Sequence, residues 1–198
     1  MAENIIPNKQ NDAKPNQGLT IYAILGKRAS GKTTAAEILH QISPNSTLIT
    51  MQAYALQAFI ELHEMTLAEF LHVDKYKQNR ALLGTFIQYA RSKNREQFIV
   101  PVLTYIKNLT SVVILEDVYY FNELEALIKL GAKIIWLECD DKKRMERYIS
   151  KFPIDDPLEA EVASLDIDLI NRWSNLLIVK NNDNIGTLRL ALRDIVYK

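Results

Sequence analysis

A glycine-rich loop near the start of the chain carries the residues with the clearest chemistry. Residues 26–33 match the phosphate-loop pattern G-x-x-x-x-G-K-[ST] at every fixed position. The apolar run 19–25 before them predicts a buried strand, and residues 31–41 after them predict a helix. A strand, a glycine loop and a helix N-terminus form a nest of backbone N–H groups that holds a polyphosphate. A chance glycine turn is the alternative, and both flanking elements argue against it.

The loop therefore predicts a site for the phosphates of a nucleotide, although it does not identify a reaction. Lys32 is expected to reach the β- and γ-phosphates, and the Thr33 hydroxyl is expected to hold Mg²⁺. The residues that we assign to nucleotide binding in this segment are Gly26, Lys27, Arg28, Ala29, Ser30, Gly31, Lys32, Thr33 and Thr34.

A basic stripe on a predicted helix, residues 74–93, is a second candidate site. Its members recur every three or four residues and are Lys77, Arg80, Gly84, Gln88, Arg91 and Arg95. No acidic residue lies between Lys77 and Arg95, so these cations have no partner within their own helix. Gly84 is a costly residue inside a helix, which favours the close approach of another group there. The stripe predicts an anion site, with a solvated charged face as the alternative.

Two acids follow the apolar run 112–115. Glu116 and Asp117 both stand where a strand-end carboxylate supports the Mg²⁺ shell beside a phosphate loop. We assign Asp117 to the metal together with Thr33, although position alone favours neither acid. Tyr119 follows and is suited to line a substrate pocket, while simple packing explains it equally well.

An arginine pair on the predicted helix 141–151 is a fourth candidate. Arg144 and Arg147 are three residues apart, so they can face one site together. Phosphoryl transfer requires cations over the moving group, which these arginines would supply. A solvated helix in which Asp141 and Glu146 partly pair with them is the alternative.

Composition limits the setting and the class of partner. The 198 residues carry 24 basic and 24 acidic side chains, and this balance argues against binding nucleic acid through a general basic field. No apolar run approaches the length of a membrane span. The single cysteine excludes an internal disulfide, so a reducing, cytoplasmic location is expected. Residues 1–18 predict a flexible tail.

Strands and helices alternate along the rest of the chain. Apolar runs predict strands over 19–25, 47–50, 111–115, 132–137 and 175–179. Continuous apolar strands separated by helices are typical of a parallel sheet that is covered on both faces. A helical insertion at about 51–108 and a charged segment at about 140–165 interrupt the alternation. Both follow strands, so they are expected at the carboxyl edge of the sheet, where ligands bind in such folds.

With these segments in this order, residues 19–197 resemble the P-loop nucleoside monophosphate kinases. Within that class they look most like the deoxynucleoside monophosphate kinases of phages and bacteria. The loop at 26–34 resembles the ATP loop of the family, and residues 116–123 resemble its Asp-Val-Arg-Phe-Pro-Asn-Glu stretch. The other matching pieces are Lys77, the segment 82–85, Arg91, the arginine pair, and the turn at 181–182 followed by 186–188.

The resemblance implies a three-layer α/β fold with a parallel five-stranded sheet, similar to adenylate kinase, with an acceptor-binding insertion and a short lid. It implies transfer of the γ-phosphoryl of ATP-Mg to a (deoxy)nucleoside 5′-monophosphate. The implied catalytic residues are Lys32, Asp117, Arg144 and Arg147. Acceptor binding would fall to Lys77, Arg80, Gly84, Arg91 and Tyr119, and Asn182 would lie near the adenine.

Two departures from the family keep other functions open. Tyr119 stands where the family has an arginine, and residues 54–59 lack the acid and the lysine of the family segment. One alternative is a kinase of another small phosphorylated metabolite, since phosphomevalonate kinases are similar in loop and lid. A nucleotide-binding regulatory module without transfer is another, and a structural protein with a vestigial loop is a third. The expected partners are small nucleotides, neither nucleic acid nor a membrane, and a homodimer stays open.

Overall fold

A five-stranded parallel sheet forms the centre of the protein, whose computed structural model describes residues 18–72, 74–151 and 176–197. Its strands lie in the order β2-β3-β1-β4-β5. Their bounds are β1 Thr20–Leu25, β2 Thr47–Thr50, β3 Val112–Glu116, β4 Lys133–Glu138 and β5 Leu177–Lys180. The predicted parallel sheet is confirmed, and the observed strand ends lie within about two residues of the predicted ones. Residues 1–17 of the predicted tail lie outside the described ranges.

Helices connect the strands and cover the sheet. They are α1 Lys32–Ile42, α2 Ala53–Leu62, α3 Leu67–Phe70, α4 Tyr76–Lys93, α5 Ile99–Lys107, α6 Phe121–Lys129, α7 Asp141–Lys151 and α8 Ile185–Tyr197. Residues 66–69, with Thr and Glu three apart, predict a capping box from the sequence. It is present at the start of α3, where Thr66 and Glu69 each accept the backbone N–H of the other. Most of the segment predicted as a lid, beyond residue 151, lies outside the described ranges.

Alternate residues of β1 contribute to two separate cores, as the two-residue period of a strand requires. Ile21, Ala23 and Leu25 pack on one face with the apolar sides of α5 and α6. Tyr22 and Ile24 pack on the other face with α1 and α8. The result is a three-layer α/β/α arrangement in which β1 is buried in the middle of the sheet.

The helical insertion between β2 and β3 has a core of its own. Buried aromatic and aliphatic side chains of α2, α3 and α4 form it, among them Phe59, Phe70 and Leu83. Tyr119 and Tyr120, which follow β3, pack into the same cluster. This packing fixes the position of the insertion against the carboxyl end of β3, next to the loop that follows β1.

The loop after β1 lies at the point where the order of the sheet reverses direction. β1 pairs in parallel with β3 on one side and with β4 on the other. Ligands of open α/β sheets bind in the crevice outside the carboxyl ends of the strands at such a point. Among the described helices, none is long and apolar enough to cross a membrane.

Candidate functional site

The two glycines of the phosphate loop occupy positions that a side chain would disrupt. Gly26 has a φ of 145°, and a Cβ placed there would stand 2.6 Å from the Leu137 carbonyl oxygen. Gly31 has a φ of 99°, and its Cβ would collide with the Asn181 side-chain nitrogen. Both φ values lie in the region that favours glycine. The loop therefore runs close against β4 and against the turn after β5.

Lys32 lies over the loop that precedes it. Its Nζ donates to the Gly26 carbonyl oxygen at 2.8 Å and to the Lys27 carbonyl oxygen at 3.3 Å. The ammonium group also lies 5.7 Å from the centre of the Tyr119 ring. Thr33, the next residue, is exposed. The loop thus presents an ammonium group and a hydroxyl side by side at the start of α1.

Two further elements hold the loop from outside. Asn181, which follows β5, donates from its buried side chain to the Ser30 carbonyl oxygen at 2.7 Å. Arg144, in α7, donates to the Arg28 carbonyl oxygen at 3.3 Å and to the Asp141 carboxylate at 3.1 Å. Because these contacts satisfy loop carbonyls, they fix the loop in one conformation.

A cavity of about 530 Å³ opens over the loop. It is bounded by the loop and α1, by α4, by the segment after β3, by α7, and by the turn after β5. The described residues that line it are Arg28, Ala29, Gly31, Lys32, Thr33, Thr34, Tyr76, Arg80, Asp117, Tyr119, Arg147, Asn181, Asp183, Ile185 and Leu188. Most of the predicted nucleotide loop therefore faces the cavity together with predicted acceptor and metal residues.

Asp117 is held in a fixed orientation at the cavity wall. Its φ of 59° takes it out of the β3 conformation, and this left-handed geometry is uncommon outside glycine. The Tyr119 hydroxyl donates to one carboxylate oxygen at 2.6 Å, and the Thr50 hydroxyl donates to the other at 3.3 Å. Gln52 donates to the Asp117 carbonyl oxygen at 3.3 Å.

Glu116 lies on the other side of the same strand end. Burial, followed by the neighbouring Asp117 carboxylate, raises the pKa of Glu116, and the Thr33 hydroxyl and the Lys32 ammonium group oppose that rise. Its Oε2 is buried without a hydrogen-bond partner among the described residues.

These residues fit a bound Mg²⁺. Magnesium prefers oxygen ligands and takes one or two from the protein, filling the rest of its shell from phosphates and water. Thr33 at the start of α1 and Asp117 just after β3 offer oxygens of this kind at the cavity, with Glu116 next to Asp117 in the chain. Within the described part of the chain, no cluster of three or more His, Cys, Asp or Glu side chains suggests a metal held by protein alone.

Tyr119 forms part of the cavity wall, and its ring faces cations. The ring centre lies 5.4 Å from the guanidinium carbon of Arg28, within the range of a cation–π contact. Burial, followed by the Asp117 carboxylate, raises the pKa of Tyr119 well above its usual value, so the phenol stays neutral. Tyr119 therefore contacts an arginine of the loop.

The basic stripe of α4 does not converge on one site. Arg80 lines the cavity, but Gly84 is buried within α4 and is not among the described lining residues. Lys77 is in α4, and its side chain lies outside what the structure describes.

The structure places Arg91, which was predicted to bind the acceptor, outside the cavity over the loop. The guanidinium of Arg91 is buried 3.4 Å over the Tyr120 ring, where it donates to Asn122 at 2.6 Å and to the Arg95 carbonyl oxygen at 3.0 Å. Its contact with Glu123, at 3.5 Å, completes this arrangement. These contacts join the end of α4 to the start of α6, away from the cavity.

The members of the predicted arginine pair lie in different places. Arg147 lines the cavity, whereas the Arg144 guanidinium donates to the Arg28 carbonyl oxygen of the loop. Asn182 does not reach the cavity, because its side chain accepts the Asp140 N–H at 2.7 Å and its carbonyl accepts from Lys143 at 2.6 Å. The preceding residue, Asn181, is the one that faces the loop.

Five described residues that line the cavity were not among the predicted site residues: Tyr76, Asn181, Asp183, Ile185 and Leu188. Ile185 is 62% exposed, and no pattern in the sequence singles it out. Tyr76 reaches the cavity through the packing of the insertion, and the other four lie in or just after the turn that follows β5.

Comparison with known proteins agrees with the fold. No family model and no curated protein matches the chain. Among solved structures, TT1252 from Thermus thermophilus aligns with a TM-score of 0.55 at 16% identity, covering 91% of this chain and 97% of that one. A gluconokinase from Sinorhizobium meliloti aligns with a TM-score of 0.56 at 10% identity, covering 91% and 95%.

A shikimate kinase from Acinetobacter baumannii, solved in complex with shikimate, aligns with a TM-score of 0.50 at 11% identity. The alignment covers 91% of this chain and 92% of that one. At these identities the comparison establishes the fold. The chain has the three-layer P-loop fold that small-molecule kinases share, with the phosphate loop in the position that the fold requires.

Proposed function

We propose that this protein is a phosphotransferase that moves the γ-phosphoryl group of ATP-Mg to a (deoxy)nucleoside 5′-monophosphate. The observation that supports the proposal is the single cavity shared by the phosphate loop, by an acid after β3, and by arginines from two different helices. Arg80 comes from the insertion and Arg147 from α7, so cations from two separate elements line the same cavity as Lys32.

The donor side follows from the loop. Its backbone N–H groups and Lys32 would hold the β- and γ-phosphates, because a helix N-terminus and an ammonium group both favour anions. Thr33 and the strand-end acid would hold Mg²⁺, which draws charge from the transferring group when bound. Ile185 and Leu188 give the cavity an apolar edge on which a nucleobase can pack.

The acceptor side follows from α4 and α7. Arg80 would bind the acceptor phosphate, and Tyr76 is placed in the same wall to contact its sugar or base. In the transfer, the bond from the γ-phosphorus to the β,γ-bridging oxygen breaks as a bond to an acceptor phosphate oxygen forms. ADP leaves and no covalent enzyme intermediate is needed. Arg147 would offset the charge of the transferring group, since positioning and electrostatics supply most of the catalysis in this reaction.

The proposal is tested by assaying purified protein with ATP-Mg and a panel of nucleoside and deoxynucleoside monophosphates, with ADP release as the readout. Turnover should depend on the acceptor and should be abolished in Lys32→Ala, whose loop loses its ammonium group. The same variant should keep its far-ultraviolet spectrum and its cooperative melting. Near-normal turnover in Lys32→Ala, or no turnover with any nucleoside monophosphate, would contradict the proposal.

One observation favours a second candidate, a kinase of another small metabolite. Because Arg91 is engaged at α6, Arg80 is the one stripe residue among the described side chains that lines the cavity. Two of the similar structures are kinases named for gluconate and shikimate, neither of which is a nucleotide. Phosphorylated and hydroxylated metabolites belong in the same panel, and turnover confined to them would select this candidate.

A further inference from the structure

A second cavity lies where the end of α4 meets the start of α6. Its volume is about 560 Å³, and no described residue lines both it and the cavity over the loop. That volume falls within the range of about 300–1,000 Å³ that is typical of sites for small organic ligands. We call this space the α4–α6 groove, and the lining residues that could bind a ligand are Gln88, Arg91, Arg95, Phe121 and Glu125.

The buried guanidinium of Arg91 is held in one orientation at this groove. It lies 3.4 Å from the centre of the Tyr120 ring. Its Nη2 donates to the Asn122 side chain, and its Nη1 donates to the Arg95 carbonyl oxygen and to Glu123. A guanidinium has five N–H groups, and the other two of Arg91 have no acceptor among the described residues. Arg91 is therefore fixed in place by the protein and retains donors for a ligand.

The charge of the groove is positive. Arg95 lines it with an exposed side chain that makes no ion pair with another described residue. Glu125 also lines the groove, but its carboxylate is already paired with Lys129 at 2.9 Å. Burial raises the pKa of Glu123, behind Arg91, to about 7, so near neutrality this acid offsets only part of the charge. Two guanidinium groups in such a space favour an anion, and phosphate is the anion whose oxygens match their planar fork.

The rest of the lining suits a planar ring. Phe121 is a large apolar side chain that is 39% exposed in the groove, and Gln88 presents an exposed amide there. Bases stack on aromatic rings, and amides can bond to the donors and acceptors of a base edge. We propose that the α4–α6 groove is a second binding site, for a nucleoside phosphate whose phosphate binds Arg91 and Arg95 and whose base stacks on Phe121.

This site is separate from the cavity in which transfer is proposed. Arg80 and Arg91 are about 16 Å apart along α4, given its rise per residue. Tyr119 lines the cavity over the loop, whereas the next residue, Tyr120, lines the groove. A ligand in the groove would therefore lie outside the space that Lys32 faces. The proposal concerns binding alone, so it holds whether or not the protein transfers phosphoryl groups.

The test is calorimetric titration of a double variant, Lys32→Ala with Arg80→Ala, in which the cavity over the loop has lost two of its cations. The probes are AMP, GMP, CMP, UMP and ribose 5-phosphate, which has a phosphate and no base. At least one nucleoside monophosphate should bind, with one molecule per chain. Adding Arg95→Ala should weaken the binding of that nucleotide and of ribose 5-phosphate by about ten- to a hundredfold, through the loss of a charge-assisted hydrogen bond. Adding Phe121→Ala should weaken only the nucleotide, by about tenfold, because stacking is lost.

Lys93→Ala is the matched control, because it removes an exposed cation at the end of α4 that does not line the groove. It should leave both affinities nearly unchanged. Circular dichroism shows whether each variant is folded, and Phe121→Leu, which retains apolar volume without a ring, repeats the stacking test if Phe121→Ala does not fold. A folded double variant that binds none of the probes would overturn the proposal, and so would an equal loss in Lys93→Ala and Arg95→Ala. The same effect of Phe121→Ala on both kinds of probe, including no effect, would overturn the placement of the base.

Discussion

Asn181 occupies the space that the absent side chain of Gly31 leaves. The Asn181 amide nitrogen lies where a Cβ on Gly31 would stand, and from there it donates to the Ser30 carbonyl oxygen at 2.7 Å. The glycine of the phosphate loop and an asparagine about 150 residues later are therefore one structural unit. The loop that would hold phosphate is fixed by the far end of the sheet as well as by its own sequence.

Replacing Asn181 should loosen the loop without unfolding the protein. Asn181→Ala leaves the buried Ser30 carbonyl without its donor, which costs about 1–2 kcal/mol, and ATP affinity should fall by about tenfold as the loop loses its fixed conformation. Calorimetry with ATP-Mg measures the affinity. Asn182→Ala is the matched control, because it removes a contact to α7 and keeps the bond to Ser30. Equal losses of affinity in the two variants would contradict the role given to Asn181.

Two glycines that both have a positive φ should respond differently to replacement by alanine. Gly26 (φ 145°) has the Leu137 carbonyl oxygen 2.6 Å from a built Cβ, whereas Gly131 (φ 79°) has nothing within 4 Å. Gly131→Ala should cost only the left-handed backbone conformation, about 1–2 kcal/mol in the free energy of unfolding. Gly26→Ala adds a collision with backbone and should cost roughly 2–4 kcal/mol. Urea denaturation measures the free energy of unfolding of both variants. Similar losses in the two would show that the backbone moves to relieve the collision between the new Cβ and the Leu137 carbonyl oxygen.

Local sequence was enough to predict the strands, their parallel pairing in one sheet, and the glycine loop between β1 and α1. The glycines, the apolar strands and the capping box at Thr66 act over a few residues, so pattern and structure agree there. The spacing of the basic stripe does not determine which of its residues reach the cavity. Arg80 and Arg91 share a helix face but are separated by about 16 Å along α4, given its rise per residue. They therefore meet different neighbours, which the stripe alone does not reveal.

The turn after β5 is a second place where the sequence pattern does not identify which residue faces the site. Asn181 and Asn182 are adjacent, and only the pairing of Asn181 N–H with the Glu138 carbonyl oxygen, at 2.7 Å, decides which side chain faces the loop. A pattern that identifies a turn does not specify which of its residues points inward. The sequence likewise does not reveal the backbone φ of 59° at Asp117, which turns its side chain away from the direction that the alternation along β3 predicts.

Arg91 and Arg80 form a pair of variants that separates structure from function. Arg91→Ala leaves the acceptors on Asn122, Arg95 and Glu123 without their donor and should cost about 1–3 kcal/mol of stability. Arg80→Ala should change stability by no more than about 1 kcal/mol, while raising the KM for the acceptor identified in the assay panel. Urea denaturation measures the stability of each variant, and steady-state kinetics measure its KM for the acceptor. A raised acceptor KM at full stability in Arg91→Ala would restore the role predicted from the sequence.

Glu123 should make the stability of the fold depend on pH near neutrality. Burial raises the pKa of Glu123 to about 7 in the folded protein, from 4.5, against the bonds that it accepts from the Tyr119 and Tyr120 N–H groups and the field of Arg91. Because the folded pKa is the higher one, the contribution of this group to stability is fully present below about pH 4.5. It is lost as pH rises through about 7, by up to about 3 kcal/mol.

Glu123→Gln isolates that contribution, because its amide does not titrate and its oxygen can still accept a backbone N–H. Urea denaturation of both proteins between about pH 5 and pH 8 gives the difference in their free energies of unfolding. Wild type should lose stability relative to Glu123→Gln as pH rises, since ionising a carboxyl that is only 2% exposed costs more than ionising it in the unfolded chain. A difference that stays constant, or that grows in favour of wild type, would show that Arg91 and the two N–H groups outweigh the burial of Glu123 and keep it ionised at both ends of the range.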